Sequence, residues 1–333
     1  MFLSLSGFVH SNDAAVLDLL KKSITNSDSL GWTRSDLCDW KYIWCDNLKQ
    51  VTKIQIKDMK LQGTLPQELQ NLTALNDFEV QGNNFTGPFL SYAGVTSLTQ
   101  IIAYQNGFTY FPPDFFNGMT SLQSIAIDAN PFSSWTIPIS IKEAMSLQSF
   151  FATHTNLNDN IPDFLGSLVS LTKLDLGFNN LIGQLPSTFS DSAIQTLLLN
   201  GQKSDTKLNG SISILAKMTF LNSVWLHGNQ FTGPIPNFSN LTQLSVVSFR
   251  DNILTGVVPA SYVSLHSLKY VSLINNLLQG STPKFGRNVD LHMRQGSNRF
   301  CTDVPGGTCD DRVNALLSVL EGFRYPKAFV DNW

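Results

Sequence analysis

Apolar and polar positions along this chain follow one order, LxxLxLxxNxLxGxLP, and that order recurs. The first apolar position of each copy falls at Val51, Leu75, Leu98, Leu122, Leu147, Leu171, Ile194, Leu221, Leu244 and Leu268. Successive spacings are 24, 23, 24, 25, 24, 23, 27, 23 and 24 residues. Within LxxLxL the fourth and sixth residues alternate as on a short strand, with both side chains on one face. Leu174 with Leu176, Val224 with Leu226 and Val271 with Leu273 are such pairs. The fifth and seventh positions fall on the opposite, open face.

A ninth-position Asn follows the strand at Asn83, Asn106, Asn130, Asn179, Asn229, Asn252 and Asn276. The chain turns there, and a buried amide can pair with backbone groups that have left the ladder. Met59, Thr155 and Gln202 interrupt this row, so looser turns are expected at those copies. The Gly and Pro that follow, as in Gly183–Pro186 and Gly233–Pro236, predict a turn and then an extended segment toward an outer wall. A period of 20–29 residues with this motif is the mark of leucine-rich repeats. The expected architecture is therefore an α/β solenoid. Its LxGxIP-like spacing resembles the plant type, which implies a right-handed superhelix with a parallel β-sheet on the concave face. The interval from Ile194 to Leu221 carries three extra residues, within NGQKSDTKLNG, and is expected as a surface loop.

A solenoid exposes its core at both ends and needs caps. Val16, Leu17, Leu19, Leu20 and Ile24 fit an amphipathic helix over the first strand. Cys38 and Cys45 follow it, and Cys301 and Cys309 lie beyond the last repeat. Ten strands at ~4.8 Å separate the ends by ~43 Å, far beyond disulfide reach. The expected pairs are thus Cys38–Cys45 and Cys301–Cys309, stapling one cap each. A zinc site fails on the same distance. Paired cysteines imply an oxidising compartment. Sequons at Asn71, Asn84, Asn209, Asn237 and Asn240 agree with a secreted glycoprotein. MFLSLSGFV at the start resembles the tail of a secretory signal.

Composition narrows the function classes. Lys and Arg number 22 against 25 Asp and Glu, a net charge of −3, with no basic stripe to neutralise phosphates. Nucleic acid is therefore not an expected partner. No run of 18 apolar residues occurs, so no membrane span is expected in this chain. The G-x-S-x-G, P-loop, H-E-x-x-H and kinase signatures are absent, and no enzyme, cofactor or metal is expected. His154 and His227 stand three repeats apart, ~14 Å, too far to share a metal. Asp128 and Asp175 are two repeats apart on the open face and read as solvated polar positions.

That open face also carries large apolar residues where burial does not require them. Tyr104, Phe151, Phe178, Leu198 and Trp225 form an expected aromatic stripe, flanked by His227 and Arg250. Aromatic residues and Arg are the preferred anchors of protein interfaces. The stripe is the expected docking surface for an extracellular protein or peptide.

Several stretches go beyond generic repeats: CDWKYIWC, NGQK, VWLHGNQFTGPIPNFSNL, RDNILTGVVPASYVSLHSLKYVSL and RVNALL after PGGTCDD. Together they resemble the ectodomain of the plant transmembrane kinase (TMK) family of receptor-like kinases. The resemblance implies an extracellular module on the apoplastic face of the plasma membrane, acting in auxin-linked growth signalling. It implies an auxin-binding-protein-like apoplastic partner or a co-receptor. It also implies an organisation: a signal-peptide remnant at 1–10, a cysteine-containing cap at 11–50 and ten repeats over 51–290. A second cysteine-containing cap at 291–312 and a linker at 313–333 toward a further repeat block complete it. The alternative is a soluble inhibitor of a secreted hydrolase, similar to the polygalacturonase-inhibiting proteins. Those typically carry two disulfides at each cap, whereas this chain has cysteines for one.

Overall fold

The computed structural model describes residues 10–330. The expected signal-peptide remnant therefore lies almost entirely outside the described residues. The chain divides into two compact units, one running to Leu157 and taking in Leu168–Leu171, the other comprising Asn158–Ser167 and the chain from Thr172. Each unit is a stack of leucine-rich repeats.

The first unit begins with a helix, His10–Ser23, whose Val16, Leu17 and Leu20 are buried with Ile24. The Asp13 carboxylate accepts from the Val51 N–H at 2.9 Å, which ties the helix to the start of the first repeat. Trp40, within the Cys38–Cys45 disulfide loop, stacks on Trp32 with ring centroids 4.9 Å apart. The main sheet of this unit opens with Ile43–Cys45, antiparallel to Val51–Gln55. Parallel strands Asp77–Glu79, Gln100–Ile102, Ser124–Ala126 and Ser149–Phe151 follow in order. Their fourth positions pair in register, Ile54 with Phe78, Phe78 with Ile101, Ile101 with Ile125 and Ile125 with Phe150. All of them are fully buried. Identical register at every step is what a constant repeat length produces, because a one-residue slip would turn each core residue outward.

The second unit repeats the plan. Its main sheet runs through Lys173–Asp175, Thr196–Leu198, Ser223–Trp225, Val246–Ser248, Tyr270–Ser272 and Asp290–His292. Leu174, Leu197, Val224, Val247, Val271 and Leu291 align across it. The last of these strands lies past the final regular repeat, in the segment expected as a cap. Asn298 there accepts from the Leu278 N–H at 3.2 Å, so the asparagine row continues into this irregular turn. The Cys301–Cys309 disulfide closes the same region. Both cysteine pairs are those that strand spacing selected.

The asparagine row works as its chemistry requires. Asn252 donates to the Leu226 and Phe249 carbonyls at 3.0 Å each and accepts from Phe231 N–H at 3.0 Å. Each amide thus staples its own repeat to the preceding one. The looser turn expected at Gln202 is not found. Its longer amide reaches the same partners, donating to Leu176 and Leu199 and accepting from Leu181 N–H at 2.9 Å. At Met59 the following repeat supplies the bond, since Asn83 accepts from both Met59 and Leu61 N–H groups. Thr155 donates to Ala152 at 2.9 Å and its carbonyl receives the Trp135 indole N–H at 2.7 Å.

The extended segments after each turn do more than lead to an outer wall. They pair into a second parallel sheet, Gln62–Thr64, Asn84–Pro88 and Gly107–Tyr110 in the first unit. In the second unit Asn209–Ser211, Gln230–Pro234, Ile253–Val257, Leu277–Gly280 and Arg299–Phe300 do the same. Extended backbones held at repeat spacing bring unpaired N–H and C=O groups opposite one another, and pairing satisfies them. Gly63 shows why this sheet needs its glycines. Its φ is +128°, and a Cβ there would stand 1.9 Å from the Ser23 carbonyl oxygen. Short 3₁₀ turns such as Gln67–Asn71 and Ser213–Lys217 form the opposite wall.

The stretch read as a linker carries a helix, Asp311–Gly322, N-capped by the Asp310 side chain. Leu317, Leu320 and Tyr325 pack on Val257 of the second sheet, and Thr255 donates to the Tyr325 carbonyl at 2.7 Å. A Cβ on Gly256 would meet the Tyr325 ring at 2.5 Å. Among the described residues no helix is long and apolar enough to cross a membrane.

Candidate docking surface on the main sheet

The open face of each main sheet is built by residues that a strand turns away from the core. The expected stripe divides between the units. Tyr104 and Phe151 belong to the first, both half-buried; Phe178, Leu198, Trp225, His227 and Arg250 belong to the second. Phe178 is exposed, adopts φ +56° and lays its ring over Gly201, where a Cβ would meet it at 2.7 Å. Leu198 is half-buried and stands beside Trp225 in register.

Trp225, His227 and Arg250 come together. The Trp225 ring is 38% exposed, and its centroid lies 5.7 Å from that of His227. Trp225 pairs with Ser248, Ser248 with Ser272 and Ser272 with His292, so the fifth positions of four neighbouring strands form one row. Two small residues stand between two large ones in that row. The result is a hollow of about 230 Å³ lined by Trp225, His227, Arg250, Tyr270, Ile274 and His292, with the two serines as its floor. Tyr270 and His292 make the second wall, their ring centroids 4.9 Å apart. Burial and the Arg250 cation hold the His227 imidazole below its ordinary pKa.

Tyr270 and His292 were absent from the stripe read from sequence. Tyr270 occupies the third position of its repeat, beside the core positions. His292 follows the last regular repeat, and its place becomes visible only when the strand register is extended one irregular turn beyond Leu268. Ser248 and Ser272 are too small to attract notice by residue type.

The two carboxylates read as solvated polar positions each accept from nearby backbone. Asp128 accepts from Thr153 N–H at 2.8 Å and is held above the usual carboxylate range by burial. Asp175 accepts from Gly177 N–H at 3.1 Å. Among the described residues no cluster of His, Cys, Asp and Glu could hold a metal ion.

The sequons lie on the second sheet and outer wall, off the open face. Asn71 closes a 3₁₀ turn and Asn84 opens a second-sheet strand, both exposed. Asn237 and Asn240 are exposed, whereas Asn209 is half-buried and donates to the Lys207 carbonyl at 3.1 Å.

Comparison with known proteins places these features. A family profile described as Leucine Rich Repeat matches residues 170–192. The chain is 47% identical over 336 residues to Receptor-like kinase TMK2 of Arabidopsis thaliana, covering 100% of this chain and 38% of that protein. It is 40% identical to Receptor protein kinase WSS1 of Oryza sativa subsp. japonica, over 97% of this chain and 35% of that protein. With Receptor-like kinase TMK4 of Arabidopsis thaliana the identity is 35%, over 97% of this chain and 34% of that protein. The chain thus spans little more than a third of the length of these curated relatives. The leucine-rich repeat ectodomain of the Arabidopsis receptor kinase HAESA, solved with an extended IDA peptide hormone, superposes with a TM-score of 0.76. That match has 25% identity over 87% of this chain and 50% of that one. A plant ice-binding protein superposes with a TM-score of 0.70 at 21% identity, over 90% of this chain and 98% of that one. This last likeness is one of fold alone, and it shows that the fold by itself does not name a function.

Proposed function

The chain belongs with the leucine-rich repeat part of the TMK receptor-like kinases, and on that premise we propose that it is an extracellular ligand-binding domain of a plant receptor kinase. It docks a peptide or protein on the open face of its second unit. The observation that carries this reading is Trp225, a large ring 38% exposed where no core needs it, standing with His227 and Arg250 around a hollow. Exposed aromatics beside Arg are the side chains on which interfaces concentrate their binding energy. Phe178 and Leu198 extend that surface within the second unit, while Tyr104 and Phe151 stand on the open face of the first.

Two disulfides and exposed sequons support a place on the apoplastic side, where thiols oxidise and glycans are carried. In the organisation proposed, the repeats are flanked by the caps at 11–50 and 291–312, and the signal passes to a kinase borne elsewhere in the full-length protein. An auxin-linked role, with an auxin-binding-protein-like apoplastic partner or a co-receptor, rests on the likeness to the TMK family. No residue described above adds to it.

The test immobilises the chain and its Trp225→Ala variant and offers a purified auxin-binding-protein-like candidate and pools of extracellular peptides. Loss of about 2 kcal/mol, roughly 30-fold in affinity, is expected with an unchanged unfolding midpoint. Equal affinity of the two chains for the true ligand would overturn the reading.

A further inference from the structure

The linker packs on the repeats through few side chains, and beside that contact lies a groove of about 540 Å³. Its sides come from two parts of the second unit. The repeats supply Pro234, Asn237, Val257 and Pro259, and the linker supplies Glu321, Arg324 and Tyr325. The helix Asp311–Gly322 is followed by two successive left-handed residues, Arg324 at φ +58° and Tyr325 at φ +51°. Tyr325 is buried there, whereas Glu321 and Arg324 are exposed and make no ion pair among the described residues. The groove thus sets apolar surface beside one carboxylate and one guanidinium that are open to a ligand.

Asn237 is the one sequon asparagine that lines it. It is exposed, and its Oδ1 accepts from the Ser239 N–H at 2.9 Å. That bond engages the amide oxygen and leaves Nδ2, the atom to which a glycan is joined, on the free side of the amide. Asn209, by contrast, is half-buried and its Nδ2 donates to the Lys207 carbonyl at 3.1 Å. Asn240 is exposed but stands outside the groove.

We propose that Asn237 carries an N-linked glycan whose first two sugars lie in this groove and clasp the linker helix to the repeats. This rests on the reading of the chain as extracellular, which supplies the secretory pathway, and adds a structural role for one glycan. In the attachment step Nδ2 bonds to the anomeric carbon of a lipid pyrophosphate-linked oligosaccharide. The bond from that carbon to the pyrophosphate oxygen breaks, its electron pair leaves with the pyrophosphate, and the amide gives up one proton.

The chemistry of the groove suits this occupant. An N-linked glycan begins with two N-acetylglucosamines, each with an apolar ring face and a margin of hydroxyl and acetamido groups. The ring faces meet Pro234, Val257 and Pro259; the hydroxyls donate to Glu321, and the acetamido carbonyl accepts from Arg324. At about 540 Å³ the groove falls within the ~300–1,000 Å³ of sites that hold a small molecule. A sugar tethered at the groove is also held there at high effective concentration, so contacts too weak to capture a free ligand suffice.

The experiment secretes the full 333-residue chain from plant cells behind a secretory leader. Glycopeptide mass spectrometry reads which sequons are occupied, and hydrogen exchange reads the protection of Asp311–Gly322. Asn237 should be occupied. Ser239→Ala removes its sequon while keeping the asparagine, and should speed exchange of the helix ~10-fold with Ser223–Trp225 unchanged. Ser239→Thr preserves the sequon and should restore protection. Asn240→Gln removes the neighbouring sequon and should leave the helix as it is. Arg324→Ala should speed exchange in the parent and add little to Ser239→Ala, since both break the same contact. An unoccupied Asn237 on a chain glycosylated elsewhere, equal helix protection with and without the Asn237 glycan, or an occupied Ser239→Thr chain that exchanges as fast as Ser239→Ala would each overturn the inference. A secreted chain bearing no glycan at any sequon would instead remove the extracellular reading on which it rests.

Discussion

The main sheets of the two units bury the same kind of core and differ on their open faces. In the first unit Glu79 is 6% exposed and accepts from Gln55 at 3.0 Å, Lys57 at 2.6 Å and Gln100 at 3.2 Å. Asp77 beside it accepts from Gln55 at 2.7 Å and Gln100 at 3.3 Å. Charge there is consumed within the face. In the second unit the corresponding positions carry rings, an Arg and two serines, and the buried Ser272 Oγ and His227 Nδ1 find no hydrogen-bond partner. The difference teaches that polarity alone does not mark a docking surface. A face whose charges are mutually paired gains little by meeting a partner, since those pairs must first be broken. A face with an exposed ring and an exposed guanidinium gains directly.

The strongest test of this comparison asks whether the units really share one scaffold. Asn106 and Asn252 make matching bonds, each accepting one N–H from the preceding repeat and donating to its own and the preceding repeat's carbonyls. Asn106→Ala and Asn252→Ala should therefore each cost about 2–4 kcal/mol, as several buried backbone groups lose their partners. Urea unfolding of both variants measures it. Costs that differ by more than ~1 kcal/mol would mean that the scaffolds, and not only the faces, diverge.

Next in size is the contrast between the faces themselves. Glu79→Ala removes the carboxylate shared by Gln55, Gln100 and Lys57, leaving only Asp77 to accept from the two amides, and should cost about 1–2 kcal/mol. Trp225→Ala, on the open face of the other unit, should stay within about 0.5 kcal/mol of the parent. If thermal unfolding shows the reverse, the first face is not sealed and the second is structural.

Titration separates them further. In the first unit the hydrogen bond from Lys57 to Glu79 raises the lysine above its ordinary pKa. A raised lysine contributes stability that is fully present below its unfolded pKa and lost as pH rises through the folded one. In the second unit His227 is lowered by burial and by Arg250. Its contribution is present above the unfolded histidine pKa and lost as pH falls through the folded value. Acid should therefore weaken the ligand-free second unit, and strong alkali the first. Hydrogen exchange across pH reads the two separately. Arg250→Gln should move the His227 titration upward, because a repelling cation is gone; an unmoved NMR titration would leave burial as the whole cause.

The smallest effect expected is at Gln202, where Gln202→Asn should change stability by less than about 1 kcal/mol. The longer amide already makes the bonds of the row, and a shorter one needs only a local shift of backbone. A larger loss would show that the inserted loop after it requires the extra methylene.

Much of this was readable in the chain itself, and for a definite reason. A repeat that stacks on its own copy converts sequence period into strand register, so Phe78, Ile101, Ile125 and Phe150 could be placed before any coordinate was known. The two disulfides followed because strands separate the ends by more than a sulfur bridge can reach. The second sheet was not readable, because its pairing comes from extended backbones that carry no apolar alternation. His292 was missed for a related reason: the strand that holds it lies where the period has already failed. Gln202 looked like a break because residue type was weighed and reach was not.

The sequence by itself determined the repeat, the buried face and the likeness to a receptor family, since periodic burial leaves its mark on residue order. The tertiary structure decided which open-face residues meet. Whether a Ser between a Trp and a His is sealed under them, and whether its hydroxyl finds an acceptor, depends on neighbours twenty or more residues away along the chain. Those distances are set by stacking, and only the folded arrangement reveals that Glu79 is satisfied and Ser272 is not.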